Sequence, residues 1–188
     1  SNTVATSNTV KGFWENAYSQ IAHCNTFLDN IADCPMDETK KEKWTSEVKC
    51  IRAYYFLYLA FHFKDVPMPL KSLNVQEANT IMQTPQAEVY AQVEKDLLEA
   101  IRVLELKQPD ADYGRHTKGS ARVMLSRLYL AQSKWGEAAS ALKDVIDSKQ
   151  YQLDRRNGDD SYDKLFQIGG EYSPEMIFCR QGMQDLHT

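Results

Sequence analysis

Hydrophobic positions along this chain recur at three and four residues over most of its length, the period of an amphipathic helix. From about Gly12 to Ile31 the apolar set is Phe13, Ala17, Tyr18, Ile21, Cys24, Leu28 and Ile31. Pro35 ends that segment, and Asp37 is placed to cap the next, because its carboxylate can accept from an unpaired backbone N–H of the first turn. The second helix, predicted over about Glu38 to Phe63, is polar in its first half with Trp44 and Val48 inward. From Ala53 onward it is apolar all round, with Tyr54, Tyr55, Tyr58 and Phe61 on one side and Ala53, Phe56, Leu57 and Ala60 on the other. A helix apolar on every side is expected to be buried on every side. A bilayer span needs about 20 apolar residues, whereas this run stops at Phe63 and is bounded by Arg52 and Lys64. The membrane reading therefore fails on length.

Lys64 to Thr84 contains Pro67 and Pro69 and shows no helical period, so it reads as a loop. Thr84-Pro85 then reads as an N-cap followed by proline at the first helical position. A third helix is predicted over about Gln86 to Leu106, with Val89, Val93, Leu97, Ile101 and Leu104 inward, closed by the stretch from Pro109 to Gly114. Two further helices, Thr117 to Gln132 and Lys134 to Ser148, are separated by a very short turn. After Tyr151 the pattern becomes polar loop, including the acidic run Asp159-Asp160 to Asp163, and Met176-Ile177-Phe178 reads as a brief strand.

The last two helices carry a repeat. Leu125 and Tyr129 stand four apart on one helix, Trp135 follows the turn, and Ala138, Leu142 and Val145 recur at four and three on the other. This is the spacing of a tetratricopeptide (TPR) hairpin over 117–149, in which the small Ala138 lets the helices approach while Tyr129 and Trp135 fill the space around the turn. Leu57-Tyr58-Leu59-Ala60 recurs as Leu128-Tyr129-Leu130-Ala131, placing Tyr58 in the role of Tyr129 at close to two repeats of about 34 residues each. Helical hairpins of this kind bury their apolar faces by stacking, so the rings between Tyr54 and Phe63 are expected to be sealed between neighbours.

Composition narrows the function classes. With 22 Lys and Arg against 26 Asp and Glu, mixed along 188 residues, no basic face invites nucleic acid. The opening SNTVATSNTV lacks the charged start and apolar centre of a signal peptide, and the chain reads as a piece of a longer product. Cys24, Cys34, Cys50 and Cys179 are too sparse for a disulfide scaffold and show no C-x-x-C spacing; a Cys24–Cys34 bond would require the two to meet in space. No histidine pair shares metal-ligand spacing on one element, so no metal and no cofactor are expected. The acidic run near Asp159 lacks the alternating ligands of a calcium loop. No phosphate loop, nucleophile elbow or Cys-His signature is present, and no carboxylate pair is placed for glycosidase work.

Five stretches, WENAYSQIAHCNTFLDNI, EVKCIRAYYFLYLAFHFKDVPMPL, VYAQVEKDLLEAIRVL, GRHTKGSARVMLSRLYLAQSKWGEAASALKDVID and EMIF, resemble in the same order the SusD/RagB family of outer-membrane nutrient-binding lipoproteins. The resemblance runs from Trp14 to Phe178. It implies a mainly all-α, right-handed TPR-like solenoid over 1–188, with a little irregular or β structure near the C-terminus, as part of a longer chain. It further implies a non-enzymatic, lipid-anchored protein on the surface of a Gram-negative outer membrane, active in polysaccharide utilisation. Such a protein would bind an oligosaccharide or other nutrient and pass it to a SusC-like TonB-dependent transporter; its lipid anchor would lie outside this segment. One departure is Lys64, which stands where the family's turn usually has glycine, at a steric cost of about 1 kcal/mol.

Sugar binding calls for exposed aromatic faces flanked by amides, carboxylates or guanidinium groups. Trp14 with Asn16 and Lys11 is the leading group, against the competing reading that Trp14 packs the first helix onto its neighbour. Tyr113 and Arg115, beside Gly114, form a second. The alternative function is a generic TPR scaffold holding a peptide in its concave groove, although such grooves favour Lys, Arg and Asn over the large apolar residues present here.

Overall fold

The computed structural model describes residues 8–107, 112–167 and 170–179. Its helices are α1 (Asn8–Asn30), α2 (Glu38–Phe63), α3 (Val75–Thr80), α4 (Gln86–Val103), α5 (Lys118–Ala131), α6 (Trp135–Asp147) and the single turn α7 (Ser161–Lys164). Each long helix packs on the next, α1 on α2, α2 on α4, α4 on α5 and α5 on α6, while α2 also touches α5. This is a stack of helix pairs around one continuous core. Ala17 and Ile21 of α1, Cys50, Phe56 and Leu59 of α2, Val89, Val93 and Leu97 of α4, and Ala121 and Leu128 of α5 are all fully buried in it.

Local chemistry sets the boundaries. The Asp37 side chain accepts from Lys40 N–H and caps α2. At the other end Lys64 takes φ 63, so the chain leaves α2 through a left-handed residue that is not glycine. Thr117 and Ser120 form a reciprocal capping box at the start of α5.

Three expectations are corrected here. The segment after α2 is not wholly loop: Asn74 and Glu77 build a capping box that starts α3, and Val66–Pro67 (β1) pairs antiparallel with Gln83–Thr84 (β2). Thr84 thus belongs to β2, and Pro85 rather than Thr84 occupies the N-cap of α4. No strand forms at Met176–Phe178; Met176 N–H instead closes a turn onto the Ser173 carbonyl at 3.0 Å. Among the described residues β1 and β2 are the only strands.

The rings of α2 also depart from expectation. Phe56 and Leu57 are sealed, but Tyr54 is 39% and Phe61 60% exposed, and Trp135 is 65% exposed at the start of α6. The reason is packing: α1 and α4 lie extensively against α2, whereas α5 touches it only lightly. Cys24, Cys34 and Cys50 are free thiols, so Cys24 and Cys34 are not bonded to each other. No described helix is long and apolar enough to cross a membrane.

The 64–74 segment is ordered despite lacking a hydrophobic period because side chains of α1 hold its backbone. Tyr18 donates to the Pro67 carbonyl at 2.8 Å, and Asn25 donates to the carbonyls of Pro69 and Lys71 at 2.8 and 3.1 Å. Asp29 accepts from Ser72 N–H at 2.7 Å. Backbone groups that would otherwise go unpaired thereby find partners.

Candidate functional site

The chain enters α5 through a turn at Gly114, whose φ of 91 lies in the left-handed region where a side chain would strain. That turn puts Tyr113 and Arg115 on either side of the entry. Arg115 donates through Nε to Glu47 Oε2 at 2.9 Å, and its guanidinium carbon lies 5.9 Å from the centre of the Trp44 ring, so the cation is fixed against α2. Glu47 is buried, and its Oε1 has no hydrogen-bond partner among the described residues.

Tyr113 meets Tyr172, far along the chain, with ring centres 4.9 Å apart and planes inclined by 42°. Between the two segments opens a cleft of about 280 Å³, lined among others by Lys107, Tyr113, Arg115, Gln150, Tyr151 and Tyr172. Tyr172 is 60% exposed, offering a ring face to solvent. The Tyr151 hydroxyl lies 2.9 Å from Thr117 Oγ1. It reaches that position only because residue 119 is glycine: a Cβ there would stand 2.4 Å from the same hydroxyl.

The outer wall is tied down by a small polar network. Asp154 accepts from Arg156 and from Ser173 Oγ, the latter at 2.7 Å, and Glu175 accepts from Asp154 N–H at 3.0 Å. The hydrogen bonds from Arg156 hold the Asp154 carboxyl well below the usual carboxylate range. Beside the cleft, the buried His116 stacks on Phe178 with ring centres 4.3 Å apart, and its Nδ1 lies 3.1 Å from Ser120 Oγ. Burial pulls its pKa down to about 4.

Flat tyrosine faces beside a lysine, an arginine and a glutamine suit a polyhydroxylated ligand: rings take the C–H surface, and the polar groups take hydroxyls. No carboxylate is found among the described lining residues. Nor do three His, Cys, Asp or Glu side chains among the described residues group closely enough to hold a metal.

Trp14, Asn16 and Lys11 lie on α1, away from this cleft. Trp14 is half-buried, its ring 4.9 Å from that of Tyr18 and 5.0 Å from that of Phe63. Asn16 is exposed, and Lys11 pairs on the surface with Glu15 at 3.7 Å. Of the repeat residues, Ala138 is buried in the α5–α6 contact, Tyr129 donates to Glu94 Oε1 at 2.8 Å, and Tyr58 accepts from Arg127 at 3.0 Å. Leu142 is 37% exposed. Lys107, Gln150 and Tyr172 were not singled out from sequence. Their relation to Tyr113 arises from folding, and the one local signal was Tyr172 as an aromatic in an otherwise polar stretch.

Comparison with known proteins agrees with the stacked helix pairs. Residues 1–130 match the SusD-like family described as starch-binding and associating with the outer membrane. A SusD-like protein of Formosa agariphila is 23% identical over 94% of this chain and 33% of its own length. A SusD-like carbohydrate-binding protein of Bacteroides fragilis superposes with a TM-score of 0.87 at 29% identity, over 94% of this chain and 34% of that one. A laminarin-binding SusD-like protein superposes at 0.81 with 33% identity, over 88% of this chain and 36% of that one. The chain thus spans about a third of the length of the relatives it matches. Matched over most of its sequence and superposing along nearly all its length, the chain belongs to the SusD-like family, whose members associate with the outer membrane.

Proposed function

We propose that this chain is the helical part of a non-enzymatic, cell-surface glycan-binding protein that hands oligosaccharide to a SusC-like TonB-dependent transporter. The observation that carries the reading is the Tyr113–Tyr172 pair, with its rings 4.9 Å apart, standing beside Arg115 and Lys107 in an open cleft. A sugar ring laid on Tyr172 exchanges C–H hydration for contact with an aromatic face. Lys107 and Gln150, whose Nε2 donates to the Ser148 carbonyl at 3.1 Å, stand at the rim to meet hydroxyls, while Arg115, anchored by Glu47, presents its remaining N–H groups in a fixed position.

Two considerations support binding without turnover. Glycoside hydrolysis needs two carboxyl groups across the scissile bond, and the described cleft lining provides none. The solved relative of 33% identity is a laminarin-binding protein, which makes β-glucan the first ligand class to test. In this reading Trp14 packs α1 against α2 and is not a ligand contact. Anchoring by lipid and seating on the transporter are supported by the family's association with the outer membrane.

Affinity electrophoresis of the whole encoded protein against laminarin, starch, xylan and mucin glycans tests the proposal. Retardation by one of them, with no oligosaccharide released on prolonged incubation, is expected. Release of shortened products would overturn the non-enzymatic reading. Co-purification with a SusC-like outer-membrane barrel from the same cells tests the transporter partner.

A further inference from the structure

The cleft between the entry to α5 and the Tyr172 turn is asymmetric in charge. Lys107 and Arg115 line it, and no described acidic side chain does. These 188 residues have a formal charge of −4, so the gathering of two cations here is local. The acids that act on Arg115 are Glu47 and Asp112, and neither is in the lining: Glu47 is buried, and Asp112 pairs with Lys43 at 3.2 Å. On the outer wall Asp154 is taken up by Arg156 and Ser173, and Glu175 accepts from Asp154 N–H. Lys107 is exposed and has no ion-pair partner among the described residues.

The way Arg115 is held decides what it can offer. A guanidinium presents donors along a side edge, Nε with one Nη, and along an end edge made by both Nη groups. Glu47 Oε2 accepts from Nε and from Nη2, so the side edge is occupied. Nη1 has no hydrogen-bond partner among the described residues, and the side chain remains 37% exposed. The Trp44 ring, 5.9 Å from the guanidinium carbon, braces the group from α2. What is left is an end edge with two parallel N–H directions in a fixed place. That edge matches two oxygens of a carboxylate or a sulfate, whereas a single hydroxyl oxygen brings neither the second acceptor nor the charge. Lys107 adds a flexible point charge to the same cleft.

We propose that the cleft selects anionic glycans: a uronate carboxylate or a sulfate ester is gripped by the free edge of Arg115 and by Lys107 while the sugar ring rests on Tyr172. Glu47 is then a positioning residue, acting on the ligand only through the arginine it orients. This names the ligand class of the glycan-binding reading and rests on that reading.

Matched polymers test the proposal, because each set keeps one backbone and changes only its charge. Neutral laminarin is compared with laminarin oxidised at its primary hydroxyls to carboxylates and with laminarin sulfate, and methyl-esterified polygalacturonate with the free acid, by isothermal titration of the whole encoded protein at low and high salt. At least one charged form is expected to bind about tenfold or more tighter than its neutral counterpart, by a margin that shrinks as salt is raised. Arg115→Lys keeps the charge beside Glu47 but removes the fork, and Lys107→Gln removes an exposed charge; each is expected to cut the preference to about threefold or less. Circular dichroism confirms the fold of both variants. Equal affinity for charged and neutral forms, both weakened by Tyr172→Ala, would overturn the anion preference and leave the sugar cleft standing. A preference undiminished in Arg115→Lys would show that the fork is not its source and overturn the proposal. Charged forms that bind Tyr172→Ala as well as the parent would sink the sugar cleft itself and the preference with it, and so would binding of none of the polymers.

Discussion

Arg52 on α2 grips Asp96 on α4 through Nε at 3.0 Å and through Nη2 at 2.8 and 3.1 Å, and both residues are almost wholly removed from solvent. Nη1 of the same arginine donates to Asn25 Oδ1 at 3.0 Å, and Gln92 donates to Asp96 Oδ1 at 2.8 Å. One guanidinium thus links α1, α2 and α4 at the centre of the stack. Burial pushes the Asp96 carboxyl upward, against the lowering pull of Arg52 and Gln92. Removing one partner strands the other charge in a low-dielectric interior, and Arg52→Met or Asp96→Leu alone is expected to lower stability by about 3–5 kcal/mol. The double replacement is expected to recover most of that loss, since an apolar pair leaves no buried charge uncompensated. Urea denaturation of the four proteins measures the coupling directly.

Lys64, with φ 63 and ψ −105, carries a side chain in a region that glycine enters freely. Lys64→Gly is expected to raise stability by about 1 kcal/mol, with a matching rise in the thermal midpoint. A loss of stability would show that the lysine side chain holds the turn through contacts that outweigh its backbone strain.

His116 sets a pH dependence. Its pKa is depressed to about 4 by burial, whereas in the unfolded chain it lies near about 6.5. The unfolded state therefore binds the proton first. The stabilising contribution is complete above about pH 6.5 and is lost as the pH falls toward about 4, amounting to about 3 kcal/mol over that window. His116→Gln is expected to flatten this part of the stability–pH curve, measured by denaturation between pH 7 and pH 4. An unchanged slope would show that the ring is already solvated.

Trp14 separates packing from ligand contact. Its ring stands 4.9 Å from Tyr18 and 5.0 Å from Phe63, so Trp14→Ala is expected to destabilise the fold by about 2–3 kcal/mol, while Asn16→Ala and Lys11→Ala change it by less than about 0.5 kcal/mol. All three are expected to bind glycan as the parent does once folded. A tenfold loss of affinity in the two surface variants would return the site to α1.

The long helices were legible in the sequence because each presents an apolar stripe to one continuous core. Phe56, Val93 and Leu128 are buried where the period puts them. α3 escaped notice although Asn74 and Glu77 carry its capping box, because a helix of six residues with no buried side chain leaves no hydrophobic period. The exposure of Phe61 and Trp135 was hidden for a different reason: a pattern shows that a residue is apolar, not whether a neighbour is present to cover it. The cleft was only half visible. Tyr113 and Arg115 stood out beside Gly114, but their meeting with Tyr172 depends on the Asp154–Ser173 link, a contact between distant segments that no local spacing encodes.

The Tyr113–Tyr172 cleft is proposed to hold sugar. Isothermal titration of the whole encoded protein with the glycan that retards it, repeated for Tyr172→Ala, Tyr113→Ala and Lys107→Ala with circular dichroism confirming the fold, tests this most directly. Each tyrosine replacement is expected to weaken binding about three- to tenfold, and the pair together to abolish detectable heat. Affinity unchanged by the loss of both rings would contradict the assignment.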